Sequence, residues 1–415
     1  MNKEENEMKT EMELAVEAYD RIHGDDIPGL TKGAVSLEPY VSEEYFELER
    51  EKIFKHSWLM VCHESEIPEK GSYIVKDIEV LKASVIVTRS KDGVIRAFHN
   101  VCTHRGNQLF YEECKGKASG FSCCFHGWTF NNDGSLRGVT EEDRFEPGFD
   151  KSKLGLKEIS LDSWKGFVFI NAEENPEKPL REYLGTLADD IEDYPFEETS
   201  LAAHWECSVD VNWKAFVDAF QEGYHVAVVH KNVAPTLFSG VESKFCRLTS
   251  FRLHGNHRAA SLPKNPNFQP SAAEAIAFKF SSTLSQKADA VHGEAWKGLN
   301  PDNIPFFGFD INVIFPINFI DTAQGWYFTY EFWPVSVNET RYVAKLFVAN
   351  PKTWSERIGQ ELSIVQLREA LLEDLNTLEA TQRGMESGAI SEIVLSDQEL
   401  AIRHQHQVVE SFVRG

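Results

Sequence analysis

Apolar residues recur at mixed three- and four-residue spacing through Met12, Leu14, Ala15, Ala18 and Tyr19, and a second such stretch runs from Glu43 to His56. Both predict helix. From Trp58 to about Asn171 the pattern shortens into β-type runs, among them Ser72-Tyr73-Ile74-Val75, Ala83-Ser84-Val85-Ile86-Val87 and Gly166-Phe167-Val168-Phe169-Ile170. Turn signals at Lys91-Asp92-Gly93 and Asn132-Asp133-Gly134 punctuate them, as in a small antiparallel β domain. A polar linker with two prolines, Glu173 to Pro179, comes next. Phe306 to Asp321 and Gly325 to Asn350 are aromatic and β-branched, predicting a sheet expected to wall a pocket. Ser355 to Gly384 predicts one long helix, with Gly384 and Gly388 as stop signals. The predicted fold class is α+β. Residues 1–40 are expected to form a helical segment packing on the last domain, residues 41–175 an all-β domain, and residues 176–415 a larger domain whose antiparallel sheet is flanked by helices.

Composition narrows the setting. The chain has 415 residues, 42% hydrophobic and 12% aromatic, enough for two or three packed domains. A formal net charge of -23 makes a surface that repels phosphate backbones and anionic headgroups, so nucleic acid and membrane partners are not expected. The opening Met1-Asn2-Lys3-Glu4-Glu5-Asn6-Glu7 lacks the apolar core of a signal peptide, and no apolar run nears the ~18 residues a spanning helix needs. A cytoplasmic location is expected. Seven cysteines, an odd number, do not suggest a disulfide scaffold there.

Three of those cysteines fall in two short segments that each end in a histidine, Cys102-Thr103-His104 and Cys123-Cys124-Phe125-His126. Each pair is followed by glycine, in Arg105-Gly106 and Gly127-Trp128, which permits close backbone approach and N–H donation to sulfide. Two fingers of this kind can grip one inorganic centre. A zinc knuckle normally opens with two cysteines, whereas a Rieske two-iron two-sulfur centre takes cysteines on one iron and histidines on the other. Cys-x-His-Arg-Gly followed by Cys-x-x-His-Gly-Trp resembles the Rieske motif, with zinc, or four unrelated residues, as the rival reading. Spacing selects Cys123 over Cys124, and Cys114, outside both fingers, is expected to be structural.

A second constellation begins at Asn212-Trp213-Lys214 and runs through Asp218 and Glu222-Gly223-Tyr224-His225 to His230. On a regular helix His225 and His230 lie about 140° apart, so they converge only if the helix is broken or bulged. The long helix supplies a partner. Its apolar stripe of Leu367, Ala370, Leu371, Leu375 and Leu378 includes Asp374, while the wheel turns Glu373 to solvent. A carboxylate on a buried face is costly unless it is paired or binds metal. Two histidines and one carboxylate form the facial set that leaves positions open on Fe(II), and a salt-bridged core Asp is the alternative.

With both sites in hand, the chain resembles the α subunit of Rieske non-haem iron ring-hydroxylating oxygenases over nearly its whole length. The resemblance includes Ile53-Phe54-Lys55-His56-Ser57-Trp58, both fingers, the Asn212 to His230 stretch, and Glu373-Asp374 followed by Gln382 and Gly384. It implies a Rieske 2Fe-2S cluster on Cys102, His104, Cys123 and His126, and a mononuclear Fe(II) on His225, His230 and Asp374. Glu222 stands where the family bridges the iron site to a neighbouring subunit's cluster, often with Asp, and Asp218 competes for that role. The implied activity is oxygenation of an aromatic or other apolar organic substrate with O2, cis-dihydroxylation leading, and one-atom hydroxylation or demethylation as the alternative. A Rieske electron carrier, or a zinc-stabilised binding module, is the reading from other classes. The resemblance further implies a homotrimer, with or without a small β subunit, fed from NAD(P)H through a reductase or ferredoxin. Pocket candidates are Phe220, Gln221 and Val226 beside the ligands, and Phe307, Phe309, Asn312 and Phe315 from the sheet.

Overall fold

The computed structural model describes residues 22, 27–231, 237–238, 240, 243–265, 267–280, 296–303 and 306–415. The helix expected around Met12 to Tyr19 lies outside the described residues. The chain divides into two compact units, one of Glu47–Tyr183, the other of the residues up to Phe46 with Leu184–Gly415.

Short alternating runs give the first unit its strands, β1 (Leu59–His63), β2 (Ser72–Ile78), β3 (Ala83–Arg89), β4 (Ile95–His99), β5 (Cys114–Lys117), β6 (Gly120–Ser122), β7 (Thr129–Asn131), β8 (Leu136–Gly138), β9 (Glu158–Trp164) and β10 (Phe167–Asn171). Pairing is antiparallel, in the order β1-β10-β9-β4-β3-β2-β5, and β6-β7-β8 form a separate small sheet. The loops before β5 and between β6 and β7 carry the cysteine-histidine fingers. Cys102 and Cys123 belong to the same buried cluster as Val75, Ile86, Phe98, Phe121, Trp128 and Phe130, so apolar burial fixes both loop bases.

The second unit is built on β11 (Thr199–Val209), β12 (Ser250–His254), β13 (His257–Pro263), β14 (Phe307–Ile314), β15 (Asn318–Ala323), β16 (Trp326–Ser336) and β17 (Glu339–Ala349), antiparallel in the order β11-β17-β16-β15-β14-β13-β12. Its helices include α1 (Trp213–Ala219), α2 (Val226–Val229), α3 (Trp354–Glu386) and α4 (Leu400–Arg414). β16 alternates its side chains between two covered faces. On one, Phe332 meets Phe216 of α1 at 5.0 Å and Tyr330 meets Phe220 at 5.3 Å. On the other, Tyr327 packs 5.1 Å from Phe196, and the Tyr194 hydroxyl donates to the carbonyls of Ala323 (3.0 Å) and Trp326 (2.8 Å). Burial on both sides explains the near-continuous apolar run in the sequence. Thr353 opens α3 with a capping box to Glu356. Among the described residues no helix is long and apolar enough to cross a membrane.

Segments distant in sequence close this unit. Val35–Ser36 pairs with Glu392–Ile393. The Gln382 amide donates to the Tyr40 carbonyl (3.3 Å), and its oxygen accepts from the Asn212 N–H (3.0 Å). Asn212 in turn caps α1 by accepting from the Lys214 N–H at 3.0 Å, so α1 and α3 are fixed relative to each other close to the second constellation.

Candidate metal centres

The two fingers share one backbone design. Gly106 donates its N–H to the Cys102 carbonyl and Gly127 to that of Cys123, each at 3.0 Å; the cysteine N–H groups donate to the carbonyls of Asn107 (2.7 Å) and Trp128 (2.8 Å). In each loop the fourth residue after the cysteine is a glycine at positive φ, 77° for Gly106 and 73° for Gly127. That turn aims the amides of His104 and Arg105 at the Cys102 sulfur and those of Phe125 and His126 at the Cys123 sulfur. The Asn107 side-chain amide also donates to Cys123 Sγ, at 3.7 Å. Both cysteines are buried, whereas Cys124 is exposed, in keeping with the choice of Cys123. Cys114 is exposed on β5, outside both loops. The His104 and His126 rings lie 4.7 Å apart, and Trp128 stacks on His104 at 4.7 Å and 12°. Paired thiols ringed by N–H donors, with two imidazoles side by side, match the donor set of a two-iron two-sulfur centre with cysteine on one iron and histidine on the other.

In the second unit, ligand atoms of His225, His230 and Asp374 lie within 4.8 Å of one another. The helix breaks at both ends of the pair. α1 stops at Ala219, and Gly223 passes the Cys246 carbonyl so closely that any Cβ would collide with it. α2 is only four residues long, flanked by His225 as its N-cap and His230 as its C-cap, and the two rings come to 5.3 Å. Each ring is turned by a carboxylate behind it. His225 Nδ1 contacts Glu222 Oε1 at 2.6 Å and His230 Nδ1 contacts Glu373 Oε2 at 3.2 Å, leaving both Nε2 atoms facing Asp374 Oδ1 at 3.5 and 3.1 Å. Burial pulls the His225 pKa down, but the Glu222 bond and the Asp374 charge outweigh it and hold it above the usual histidine value. Two imidazoles and a carboxylate, backed by two further carboxylates, fit a divalent iron.

Glu373 corrects the sequence reading. The wheel turned it to solvent, yet its long side chain reaches back to His230 and is half-buried. Glu222 is buried against its own His225, also accepting from the N–H groups of Tyr224 and His225. Asp218 faces elsewhere. Its carboxyl meets Tyr40 Oη (2.5 Å), Gln405 Nε2 (2.9 Å) and Gln221 Nε2 (3.2 Å), and Tyr40 Oη also contacts His406 Nε2. It joins α1 to α4 and lines no part of the iron cavity.

That cavity, of about 130 Å³, adjoins the triad. Phe220, Val226 and Phe309 line it as expected. Four candidates do not. Gln221 accepts from Arg258 Nε at 2.5 Å in the Asp218 network, and Asn312 donates to the Ile320 carbonyl at 2.8 Å inside the sheet. Phe307 stands at the start of β14 opposite Pro263, and Phe315 lies beyond its end, stacked on Phe412 at 5.6 Å. Sequence reasoning missed Ile311, Asp321, Trp326, Phe328 and Tyr330, whose period-two spacing on adjoining strands was the available signal.

Fold and donor sets together define an iron-sulfur protein with a separate mononuclear iron site. The chain belongs to the ring hydroxylating alpha subunit family, whose catalytic-domain model matches residues 196–415, while a Rieske [2Fe-2S] domain model matches residues 57–159. Its cofactors are one Rieske 2Fe-2S cluster and one mononuclear iron. The carnitine monooxygenase oxygenase subunit of Acinetobacter pittii (strain PHEA-2) is 36% identical over 201 residues, 48% of this chain and 53% of that protein. The anthranilate 1,2-dioxygenase large subunit of Acinetobacter baylyi is 33% identical over 208 residues, 49% of this chain and 44% of that one. The chain spans about half the length of the curated relatives it matches. Solved structures share the fold: naphthalene 1,2-dioxygenase from Rhodococcus sp. (TM-score 0.74, 21% identity, covering 99% of this chain and 98% of that one) and a quaternary ammonium Rieske monooxygenase (0.71, 23%, 92% and 100%).

Proposed function

We propose that this protein is the terminal oxygenase of a multicomponent system, inserting oxygen from O2 into an organic substrate with electrons relayed from NAD(P)H. The carrying observation is the triad of His225, His230 and Asp374, its two histidines turned by Glu222 and Glu373, at the edge of a largely apolar cavity. When bound there, iron supplies open positions for oxygen beside the substrate, and the cluster supplies electrons one at a time. The residues do the rest. Glu222 and Glu373 fix ring orientation; Phe220, Phe309, Trp326 and Phe328 exclude water and hold an apolar skeleton. A cavity of this size takes a molecule about as large as benzene.

Glu222 is the candidate relay between the two centres, in a homotrimer served by a reductase or ferredoxin, with or without a β subunit, in the cytoplasm. The working domain division is a cluster domain over 41–175 and a catalytic domain over 176–415. The aromatic wall suits ring cis-dihydroxylation, the reading first drawn from the resemblance. One-atom oxygenation of a methylated amine is favoured by a different observation, an acidic residue in that wall, and agrees with the carnitine and glycine betaine monooxygenase subunits among the relatives.

The test is iron and acid-labile sulfide per chain, the low-temperature EPR spectrum after dithionite, and ¹⁸O2 incorporation into product. An iron-to-sulfide ratio of about 3:2 with a Rieske signal is expected. One labelled atom per product marks monooxygenation and two mark dioxygenation; zinc without sulfide overturns the proposal.

A further inference from the structure

Among the polar side chains lining the iron cavity, Glu222, His225, His230 and Asp374 belong to the metal site or its support. Asp321 does not. It comes from β15 on the sheet wall, in register between Ile311 of β14 and Phe328 of β16, in a transverse row that faces the cavity. The residue is 4% exposed. Its Oδ1 has no hydrogen-bond partner, and one main-chain amide, that of Asn312, reaches the carboxyl. Other buried acids of this sheet are satisfied. Asp310 accepts from Ser261 Oγ (2.5 Å) and the Asn300 N–H (3.0 Å), and Glu331 from Lys345 Nζ (3.2 Å) and Trp333 Nε1 (2.8 Å). A buried carboxyl oxygen without a partner destabilises the protein unless something outside the chain completes it.

What surrounds Asp321 names that missing partner. Phe309 and Trp326 lie 5.8 Å apart, Trp326 and Phe328 meet edge-on at 5.7 Å and 82°, and Phe328 stacks on Tyr330 at 5.0 Å and 14°. Ring faces attract cations through their quadrupoles, and the attraction grows when water is excluded. Burial, with the nearby Asp310 charge adding to it, drives the Asp321 carboxyl well above the usual carboxylate range. A cation brought beside it reverses that trend. An alkylated ammonium, with few or no N–H groups to satisfy, suits one free carboxyl oxygen and several rings better than a guanidinium or a hydrated primary amine does.

Resting on the reading of this cavity as the oxygenase's substrate site, we propose that Asp321 and the rings of Trp326 and Phe328 hold the cationic head of an alkylated ammonium substrate on the wall across from the helix-borne iron ligands. Asp321 is then the specificity-determining residue of the pocket, and the apolar remainder selects for the skeleton.

Binding tests this without turnover. The metal-loaded protein is titrated by calorimetry with choline and with its uncharged isostere 3,3-dimethyl-1-butanol. Choline is expected to bind at least about tenfold tighter. Asp321→Asn removes that preference, Asp321→Glu keeps it, and both retain the wild-type iron content. Equal affinity for the two probes, tighter binding of the alcohol, binding of neither at millimolar concentration, or a preference that survives Asp321→Asn overturns the proposal. Neither probe titration needs O2 or an electron donor. A protein that prefers choline but lacks the Rieske signal sinks the oxygenase reading alone, and one with both metals and no preference sinks this one alone.

Discussion

Behind each histidine of the iron site stands a carboxylate that accepts from its Nδ1, and those two acids set where the opposite nitrogens point. Partners of this kind typically govern metal affinity by 10–100-fold. Glu373→Gln is therefore expected to weaken iron binding by about that factor while leaving the fold intact, as measured by competition with a chelator. Asp374→Ala removes a proposed ligand outright; turnover should vanish while the Rieske EPR signal persists, and retained turnover would sink the iron assignment. Asp374 was legible in the sequence because a carboxylate in an apolar helical stripe needs a reason. Glu373 was not, because a wheel places Cβ whereas the carboxylate lies several bonds further on and can bend back toward a buried base.

At the level of loops and strands, the fingers were legible in spacing, and the structure adds why the spacing differs. Histidine sits two residues after Cys102 and three after Cys123, but both turns close on a glycine four residues on. Replacing either with alanine forces a side chain into left-handed backbone, at roughly 1–2 kcal/mol. Gly106 has open space around it, whereas a Cβ at Gly127 would press on the Thr140 hydroxyl at 2.9 Å. Gly127→Ala should thus lower cluster content, read as sulfide per chain, more than Gly106→Ala does. The pocket was less legible. Residue chemistry on β14 does not reveal which side chains share a face; Phe309 and Ile311 share the cavity face, while Asn312 turns into the sheet. Phe315 falls past the strand end, where the two-residue period no longer applies.

For the whole molecule, each metal has all its predicted ligands within one compact unit. Chelation of the mononuclear iron should therefore leave the visible spectrum of the cluster unchanged, a test made by absorption before and after dialysis against a chelator. Stability should carry a second mark of this architecture. Burial raises the Asp218 pKa to about 7 despite opposing contributions from Tyr40, Arg258, Lys214 and Gln221. Above the unfolded-state value the folded protein holds this proton more tightly, so Asp218 favours the fold less and less as pH rises from about 4 to about 7. His404 and His406, lowered by burial to about 3, push the other way below the ordinary histidine value. The comparison with Asp218→Asn isolates the carboxyl. The variant's stability relative to wild type should rise between pH 5 and pH 8, on the order of 1–4 kcal/mol, as read by denaturant unfolding; a constant difference counts against a buried, proton-holding Asp218.

The pairing of Val35–Ser36 with Glu392–Ile393, and of Tyr40 with Asp218, Gln382 and His406, has a consequence in time. A ribosome releases sequence from the N-terminus onward, and domains fold as their parts emerge. All four proposed cluster ligands lie within Glu47–Tyr183, so every residue of that unit leaves the ribosome before α3 and α4 are made. The segment around Tyr40 must wait, its own partners still untranslated, until α3 and α4 arrive. The order of synthesis thus delivers every proposed cluster ligand well before Asp374, the last of the proposed iron ligands.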